Sequence, residues 1–246
     1  MKLVCLGTTG FHPNDRRHTA CYFLPEVGVV LDAGTGMFRL ADHLQTEKVD
    51  IFLSHAHLDH VSGLTYLVET FGIEASDRVT IHATDEKIAA VREHLFSPHL
   101  FPVAPGYQFE PLSGSCPLPN GGTLTTFPLE HPGGSHGMRL DWPGHSLAYV
   151  TDTTAEASAD YVDQIRGVDL LLHEANFPAG HEDQAQLTGH SCLDKTVQVA
   201  AAAGVKRLVV THVDPLLTKD ADFDLTEARA IFSGIEIAED LQVLEF

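Results

Sequence analysis

Residues 50–60 read Asp50-Ile51-Phe52-Leu53-Ser54-His55-Ala56-His57-Leu58-Asp59-His60. The apolar run near the start of this segment is typical of a buried strand, and the apolar spacing over residues 62–69 is typical of a helix. Four of the last six residues, which we call the hexad (His55 to His60), have side chains that bind metal ions. The sequence therefore predicts a metal-binding cluster in a loop between a strand and a helix, where open α/β sheets bind their ligands.

The density of ligands in the hexad indicates two metal ions rather than one, because two histidines are followed at once by an Asp–His pair. Two ions need about seven or eight ligands and a position for water, so other parts of the chain have to contribute. Three further candidates each follow an apolar run that is typical of a strand: His131, Asp152 and His212. Strand ends that converge on one rim would bring them to the hexad. A histidine-rich surface loop without function is the alternative interpretation.

The charge balance limits the class of substrate. The 246 residues include 15 Lys and Arg against 34 Asp and Glu, which gives a formal net charge of −19. Such a field repels polyanions, whereas nucleic-acid binding draws on clustered cations. Two bound divalent ions would still attract a single phosphate. We therefore expect a small anionic or neutral substrate, and a long nucleic acid is disfavoured.

No linker, low-complexity run or internal repeat interrupts residues 1–246, so we expect one domain. The four cysteines have no C-x-x-C spacing and give no sign of a disulfide framework or a thiolate zinc site. The apolar run Met1 to Leu6 is too short for a signal peptide, and no stretch reaches the roughly 20 apolar residues of a membrane span. The expected compartment is the cytoplasm, without membrane contact.

Predicted strands outnumber predicted helices, and both hairpins and strand–helix alternation occur. Trp142-Pro143-Gly144-His145 is a strong hairpin signal. Helices are predicted over Met37–Leu44, over Glu86–Leu95, and from a capping box at Ser191 to Ala203. Residues 97–121 hold six prolines and are predicted to form an irregular rim or lid loop. This mixture predicts an α/β (α+β) fold of mixed sheets with helices outside them.

The order of these motifs resembles that of the metallo-β-lactamase superfamily and, within it, that of the ribonuclease Z-like phosphodiesterases. Beyond the hexad, the resemblance is carried by Leu6-Gly7-Thr8, the Pro13 to Arg17 loop, Leu31–Gly36, His131, Tyr149–Thr153, His173–Asn176, Gly189–Ser191, Thr211–His212 and Ile237–Asp240. The hexad is specific for the superfamily. The resemblance is narrowed to the ribonuclease Z-like branch by three further features: the His173-Glu174-Ala175 segment, the His190 loop and the C-terminal motif Ile237–Asp240. The resemblance implies a four-layer αββα sandwich of two mixed β-sheets flanked by helices, the metallo-β-lactamase fold.

The resemblance also implies a centre of two divalent metal ions. The implied ligands of the first metal are His55, His57 and His131. The implied ligands of the second are Asp59, His60 and His212, with Asp152 as the bridge. Five imidazoles and two carboxylates without sulfur suit Zn²⁺, and also Mn²⁺ or Fe²⁺. Zinc is the expected metal.

By the same resemblance, a hydroxide shared between the metals is the nucleophile, and Asp59 touches both a metal and the attacking water. His190 is implied to be a general acid or a transition-state stabiliser; an exposed loop histidine is the alternative. Asp32 is implied to accept an N–H from a ligand histidine and fix its tautomer, unless it is only a turn aspartate. His173 is expected to support the site from behind the ligands. The sequence assigns no role to four other histidines: His12, His94, His99 and His136.

Residues 132–151 separate His131 from Asp152, and the predicted hairpin almost fills this interval. In ribonuclease Z, a long arm that grips tRNA is often inserted there. Its absence agrees with the acidic charge, so the leading hypothesis is a hydrolase of small anionic phosphodiesters, including cyclic ones. Two alternatives stay open: a ribonuclease Z-type 3′-tRNA-processing endonuclease, and a lactamase- or thioesterase-type hydrolase of the same superfamily. A homodimer is also left open.

Overall fold

Two β-sheets lie face to face at the centre of the molecule. The computed structural model describes residues 1–112, 114–217 and 223–246, and within these ranges each sheet has seven strands. The first sheet consists, in spatial order, of β14 (Val243–Glu245), β1 (Lys2–Gly7), β2 (Cys21–Leu24), β3 (Val29–Leu31), β4 (Val49–Phe52), β5 (Val79–Ala83) and β6 (Gln108–Pro111). The second consists of β13 (Ile235–Ile237), β12 (Leu208–Thr211), β11 (Leu170–Glu174), β10 (His145–Val150), β9 (Ser135–Trp142), β8 (Gly122–Leu129) and β7 (Ser115–Leu118). Both sheets contain parallel and antiparallel pairs.

Short helices cover the outer face of each sheet. The α-helices of the described ranges are α1 (Leu58–Val61), α2 (Leu67–Phe71), α3 (Asp85–Ala90), α4 (Tyr161–Gln164), α5 (Glu182–Thr188), α6 (Leu193–Ala203) and α7 (Thr226–Ile231). The 3₁₀ segments are Thr35–His43, Ser62–Thr65 and Pro119–Gly121, and Val91–Leu95 is a π-helical turn. Helices α1 to α3 pack on the first sheet, whereas α4, α6 and α7 pack on the second.

Three buried apolar clusters separate the four layers. Because successive side chains of a strand point to opposite faces, Tyr22 lies between the two sheets, while its neighbour Phe23 packs under the helices of the first sheet. In the second sheet, Tyr149 faces the first sheet, and Val150 faces the helices. The predicted αββα sandwich of mixed sheets is confirmed.

Two turn predictions are also confirmed. Trp142 and His145 are paired at the end of β9 and the start of β10, as the hairpin signal predicts. Gly204 ends α6 in the left-handed conformation, with φ 62°, which glycine adopts without a steric penalty. The helix predicted over Met37–Leu44 is present as a 3₁₀ segment rather than an α-helix.

The prediction of one irregular loop over residues 97–121 is wrong. This interval contains β6 and β7, which lie at the edges of the two sheets. Edge strands tolerate proline because its missing N–H would face solvent, and Pro111 and Pro117 lie in these strands. Proline content therefore concealed two strands.

The capping box predicted at Ser191 is wrong as well. Cys192 occupies the N-cap of α6 and makes no side-chain capping bond. The Ser191 hydroxyl instead donates to the Thr153 carbonyl at 2.6 Å and accepts from the Ala155 N–H at 3.0 Å. It thereby ties the loop before α6 to the loop after β10.

Candidate metal centre

The hexad bends from a loop into a helix. His55 follows β4 and His57 is the extended N-cap residue of α1, which begins at Leu58. Asp59 and His60 therefore lie in the first turn of a helix, and the prediction of a loop holds only for the first half of the hexad. This bend turns His57 and His60 toward one rim of the sandwich.

Three strand ends of the second sheet reach the same rim. His131 follows β8, Asp152 follows β10, and His212 follows β12. Possible ligand atoms of His55, His57, His131 and Asp152 all lie within 4.8 Å of one another, as do those of Asp59, His60 and His212. The structure thus brings together all seven residues that the sequence interpretation named as metal ligands.

One carboxylate lies between the two groups. The Asp152 Oδ2 atom is 3.5 Å from Nε2 of both His55 and His131. Its Oδ1 atom is 3.2 Å from His60 Nε2 and 3.3 Å from His212 Nε2. Each oxygen of Asp152 therefore faces a different half of the centre, which we call the first half (His55, His57, His131) and the second half (Asp59, His60, His212).

Hydrogen bonds fix the tautomers in the first half. The Ser54 hydroxyl donates to Asp32 at 2.7 Å, so its oxygen accepts the His55 Nδ1–H at 3.0 Å. The His131 Nδ1–H donates to the Gly189 carbonyl at 2.8 Å. Both Nε2 atoms are thus left as lone-pair donors that point at Asp152.

The residues of the first half fit a divalent cation. His55 Nε2 is buried and has no hydrogen-bond partner. His131 Nε2 lies 3.3 Å from His57 Nδ1. Burial, together with the nearby His60, holds the pKa of His55 well below its usual value, and burial also lowers the pKa of His131. Neutral imidazoles with converging lone pairs are the form that binds metals.

Three carboxylates, those of Asp59, Asp152 and Asp32, surround His60 and attract positive charge to the second half. Burial lowers the pKa of His60, but Asp152, Asp59 and Asp32 outweigh this effect and raise the pKa well above its usual value. Asp59 lies 3.4 Å from His60 Nε2 and 3.3 Å from His212 Nε2. A proton on His60 and a divalent ion would therefore compete for this half, so metal binding would release a proton.

Asp32 lies directly behind the centre and is completely buried. Its Oδ2 atom accepts hydrogen bonds from His60 Nδ1–H, Ser54 Oγ–H and Tyr149 O–H, each at 2.7 Å. Its Oδ1 atom accepts the Ser54 backbone N–H at 2.7 Å. The contact with His60 is the one that the sequence interpretation expected, and it directs His60 Nε2 at Asp152.

His190 lies over both halves. Its ring centroid is 5.2 Å from those of His131 and His212. Its Nδ1–H donates to Glu174 Oε1 at 3.1 Å. Burial lowers the pKa of His190, but the Glu174 carboxylate outweighs burial and raises the pKa to about 9. Glu174 therefore favours the protonated form of His190 beside the candidate ligands.

Glu174 is a functional candidate that the sequence interpretation missed. It is completely buried and accepts the backbone N–H groups of Thr153 at 2.7 Å and Ser191 at 3.1 Å. Its neighbour His173, which was expected to support the site, points to the other face of β11. There the His173 ring contacts Tyr161 Oη at 3.0 Å and bonds the Glu174 carbonyl at 2.8 Å. The sequence signal for Glu174 was the His173-Glu174-Ala175 segment, and the structure brings Glu174, not His173, to His190.

A loop of the first sheet closes over the second half. The Phe11 backbone N–H donates to Asp59 Oδ2 at 2.8 Å, and the Gly10 N–H donates to the Val213 carbonyl at 3.1 Å. Gly10 packs so closely on the His212 ring that an added Cβ would lie 2.1 Å from its Cε1 atom. The sequence interpretation assigned no functional role to Gly10 or Phe11.

A cleft of about 400 Å³ opens beside the first half. His55 and His57 line it together with Lys87, His94 and Gly133. The Lys87 side chain is only 12% exposed, and its ammonium donates to the Gly133 carbonyl. This ammonium, together with burial, lowers the pKa of nearby His136. The cleft thus places a cation and two candidate ligands on one surface, together with the carboxylates of Glu86, which lies 3.7 Å from the Lys87 ammonium, and Glu93.

The fold and the cluster at its rim define a protein of the metallo-β-lactamase fold. The chain matches the family model of the beta-lactamase superfamily domain over residues 28–213, and it belongs to that superfamily. Within the described ranges, no helix is long and apolar enough to cross a membrane.

Three relatives show how far the similarity extends. A ribonuclease Z of Archaeoglobus fulgidus is 25% identical over an alignment that covers 99% of this chain and 97% of the relative. The crystal structure of YhfI from Bacillus subtilis, a metallo-β-lactamase fold protein, has a TM-score of 0.83, with 22% identity and 99% of each chain covered. A diphosphatase from the PhnP family has a TM-score of 0.74 and 22% identity, with 100% of this chain and 97% of that chain covered.

Proposed function

We propose that this metal-dependent hydrolase cleaves small anionic phosphodiesters, including cyclic ones. The observation that carries the proposal is the position of Asp152, whose two oxygens face the two halves of the centre separately. A shared carboxylate between two ligand sets is the arrangement that a two-metal site requires. His190, positioned by Glu174 above both halves, supplies a proton donor where a leaving oxygen would lie.

In the proposed centre, His55, His57 and His131 would hold one divalent ion, Asp59, His60 and His212 would hold a second, and Asp152 would serve both. Zinc is the proposed metal, because an all-imidazole and carboxylate set without sulfur suits it; manganese and iron are the alternatives. When bound, such ions supply an activated water and neutralise charge on the phosphoryl oxygens. The remaining tasks, orientation and proton transfer, belong to the protein.

Two side chains are proposed to perform these tasks. The Asp59 carboxylate, held by the Phe11 N–H, accepts a hydrogen bond from the attacking water and orients it. His190 donates its Nε2 proton to the departing oxygen, and Glu174 stabilises the protonated ring before the transfer. Positioned proton donors of this kind contribute typically about 10²–10⁴-fold to the rate.

Charge and shape support a small substrate. Lys87 offers a largely buried ammonium in the cleft beside His57, in a chain whose formal net charge is −19. A single phosphate could use this local cation, whereas a polyanion would meet the acidic surface. Between His131 and Asp152 the chain forms only a turn, β9 and β10, which leaves no room for an inserted arm.

The second candidate function is that of a ribonuclease Z, a 3′-tRNA-processing endonuclease. It is favoured by the Archaeoglobus fulgidus relative, which aligns along nearly the whole chain. The alignment spans 304 positions although this chain has 246 residues, so the relative carries segments that this chain lacks. This shortening favours the small-substrate function.

A parallel assay distinguishes the candidates. The zinc- or manganese-loaded protein is tested on bis-p-nitrophenyl phosphate, 2′,3′- and 3′,5′-cyclic nucleotides, precursor tRNA, a chromogenic cephalosporin and a thioester. The proposal expects turnover of the first three substrates and its loss in Asp152→Asn and His190→Gln. Cleavage of only the cephalosporin or thioester would overturn it, and preferred cleavage of precursor tRNA would establish the second candidate. Metal analysis should find about two equivalents per chain.

A further inference from the structure

The rim above the second half is apolar. Phe11 is 79% exposed and Leu58 is 72% exposed, although both adjoin Asp59. Leu58 precedes Asp59 in the chain, and the Phe11 N–H bonds the Asp59 carboxylate at 2.8 Å. Among the described residues, the Phe11 ring contacts the His12 ring, and the two ring centroids are 5.2 Å apart. Two large apolar side chains are thus exposed to solvent on residues that adjoin Asp59.

The backbone of Phe11 adopts a conformation that phenylalanine rarely tolerates, with φ 56°. Three other residues without glycine's freedom adopt positive φ at this site: Asp32, Asp152 and His212. Asp32, Asp152 and His212 each have a side chain that lies in the cluster or contacts one of its residues. Strain of this kind persists where the surrounding structure imposes it, and it clusters at functional sites. Phe11 follows the same rule, and its side chain is exposed.

Hydrogen bonds and close packing hold the backbone of the loop that carries Phe11. Gly10 packs on the His212 ring and bonds Val213, while Asn14 Nδ2 donates to the Pro215 carbonyl at 2.7 Å. The Asn14 Oδ1 atom accepts the backbone N–H of Arg17 at 2.7 Å. The backbone that carries Phe11 is therefore held in place beside the centre.

We infer that Phe11 is a specificity residue that stacks on an aromatic ring carried by the ester group that stays on the phosphate, not on the leaving group. The inference rests on the proposed phosphodiesterase function and narrows its substrate class to phosphodiesters whose retained ester group, as distinct from the leaving group, carries a nucleobase or an aryl group. Every base has a π-face, so stacking on one side chain tolerates different bases. The cluster then binds the phosphate while the apolar rim binds the ring next to it.

The test compares two substrates with the same leaving group: thymidine 5′-(p-nitrophenyl phosphate) and methyl p-nitrophenyl phosphate. In Phe11→Ala, the KM for the thymidine ester should rise by roughly 5- to 150-fold, the range that one base–aromatic stack corresponds to, with kcat little changed. The methyl ester should keep its KM. Phe11→Tyr retains the ring and should resemble the wild type, as should Ile231→Ala, which removes an exposed apolar side chain from α7. Equal changes on both esters, or a Phe11→Tyr variant as impaired as Phe11→Ala, would overturn the inference.

A binding measurement separates this inference from the proposed function. Titration of the zinc-loaded protein with thymidine 5′-monophosphate and with inorganic phosphate compares the same two groups without turnover. A wild-type protein that cleaves neither ester would refute the proposed function alone. The inference would then stand if thymidine 5′-monophosphate binds more tightly than phosphate and Phe11→Ala removes the difference, and it would fall if the two ligands bind alike.

Discussion

Replacing Asp32 with asparagine tests how strongly the buried carboxylate behind the centre controls His60. The substitution removes a charge that accepts four hydrogen bonds from Ser54, His60 and Tyr149. It leaves the backbone undisturbed, because asparagine tolerates the positive φ of 55° at this position. The effects therefore come from the side chain.

The magnitude follows from the four contacts. If the amide oxygen of the asparagine faces His60 and Tyr149, its NH₂ group meets the Ser54 backbone N–H. Two buried donors then lack acceptors, at roughly 1–3 kcal/mol each, so the free energy of unfolding should fall by about 2–6 kcal/mol. If the amide turns the other way, its NH₂ group faces His60 Nδ1 and forces the proton onto Nε2. In either orientation His60 is a poorer ligand, and metal affinity should fall by about 10- to 100-fold.

Two measurements check these values: urea unfolding of the chelator-treated protein, and zinc affinity by competition with a chromogenic chelator. Tyr149→Phe is the matched control, because it removes one donor to Asp32 and leaves the His60 contact intact. It should cost about 1 kcal/mol and leave zinc affinity unchanged. An Asp32→Asn protein that binds zinc as tightly as the wild type would refute the reasoning. So would a Tyr149→Phe protein that loses affinity to the same extent.

Three further substitutions test other contacts. Glu174→Gln removes the charge that raises the pKa of His190. Because kcat needs the protonated His190 ring, kcat falls as the pH rises through the pKa of His190, and in the variant this fall should begin at a lower pH than in the wild type. Identical pH profiles of kcat between pH 6 and 10 would contradict this prediction. Lys87→Met should raise the KM for a phosphodiester by about tenfold with kcat unchanged, and Lys87→Arg should keep the KM of the wild type. A loss confined to kcat would argue against phosphate binding by the Lys87 ammonium. Gly10→Ala should lower activity and zinc affinity, because the added Cβ would lie 2.1 Å from the His212 ring. Gly106→Ala is the control and should lower neither, because its Cβ would lie 3.4 Å from the nearest atom, the Ile73 carbonyl oxygen.

The cluster of candidate metal ligands could be predicted because its residues follow a simple rule. Polar side chains that directly follow apolar strands tend to meet at one rim, so His131, Asp152 and His212 could be joined to the hexad without knowledge of the topology. The sandwich itself followed from the mixture of hairpins and strand–helix alternation, and from the resemblance of the motifs. These are local patterns, and the sequence displays them directly.

The missed features depend on register and on long-range contact. His173 and Glu174 are adjacent in β11, and a shift of one residue decides which of them faces the site. Lys87 and Phe11 reach the centre through Gly133 and Asp59, which lie more than 40 residues away in sequence. A pattern within one window cannot show such contacts, and no apolar periodicity marks them.

The division of ligands between the two sheets has a consequence for biosynthesis. The hexad belongs to the first sheet, whereas His131, Asp152 and His212 belong to the second, which is translated later. The last strand, β14, then returns to pair with β1 at the start of the chain. A nascent chain that has emerged only as far as β6 holds the hexad without a partner set. The proposed metal centre would therefore be completed late, when the sandwich closes, and a bound ion would fasten the two halves of the polypeptide to each other.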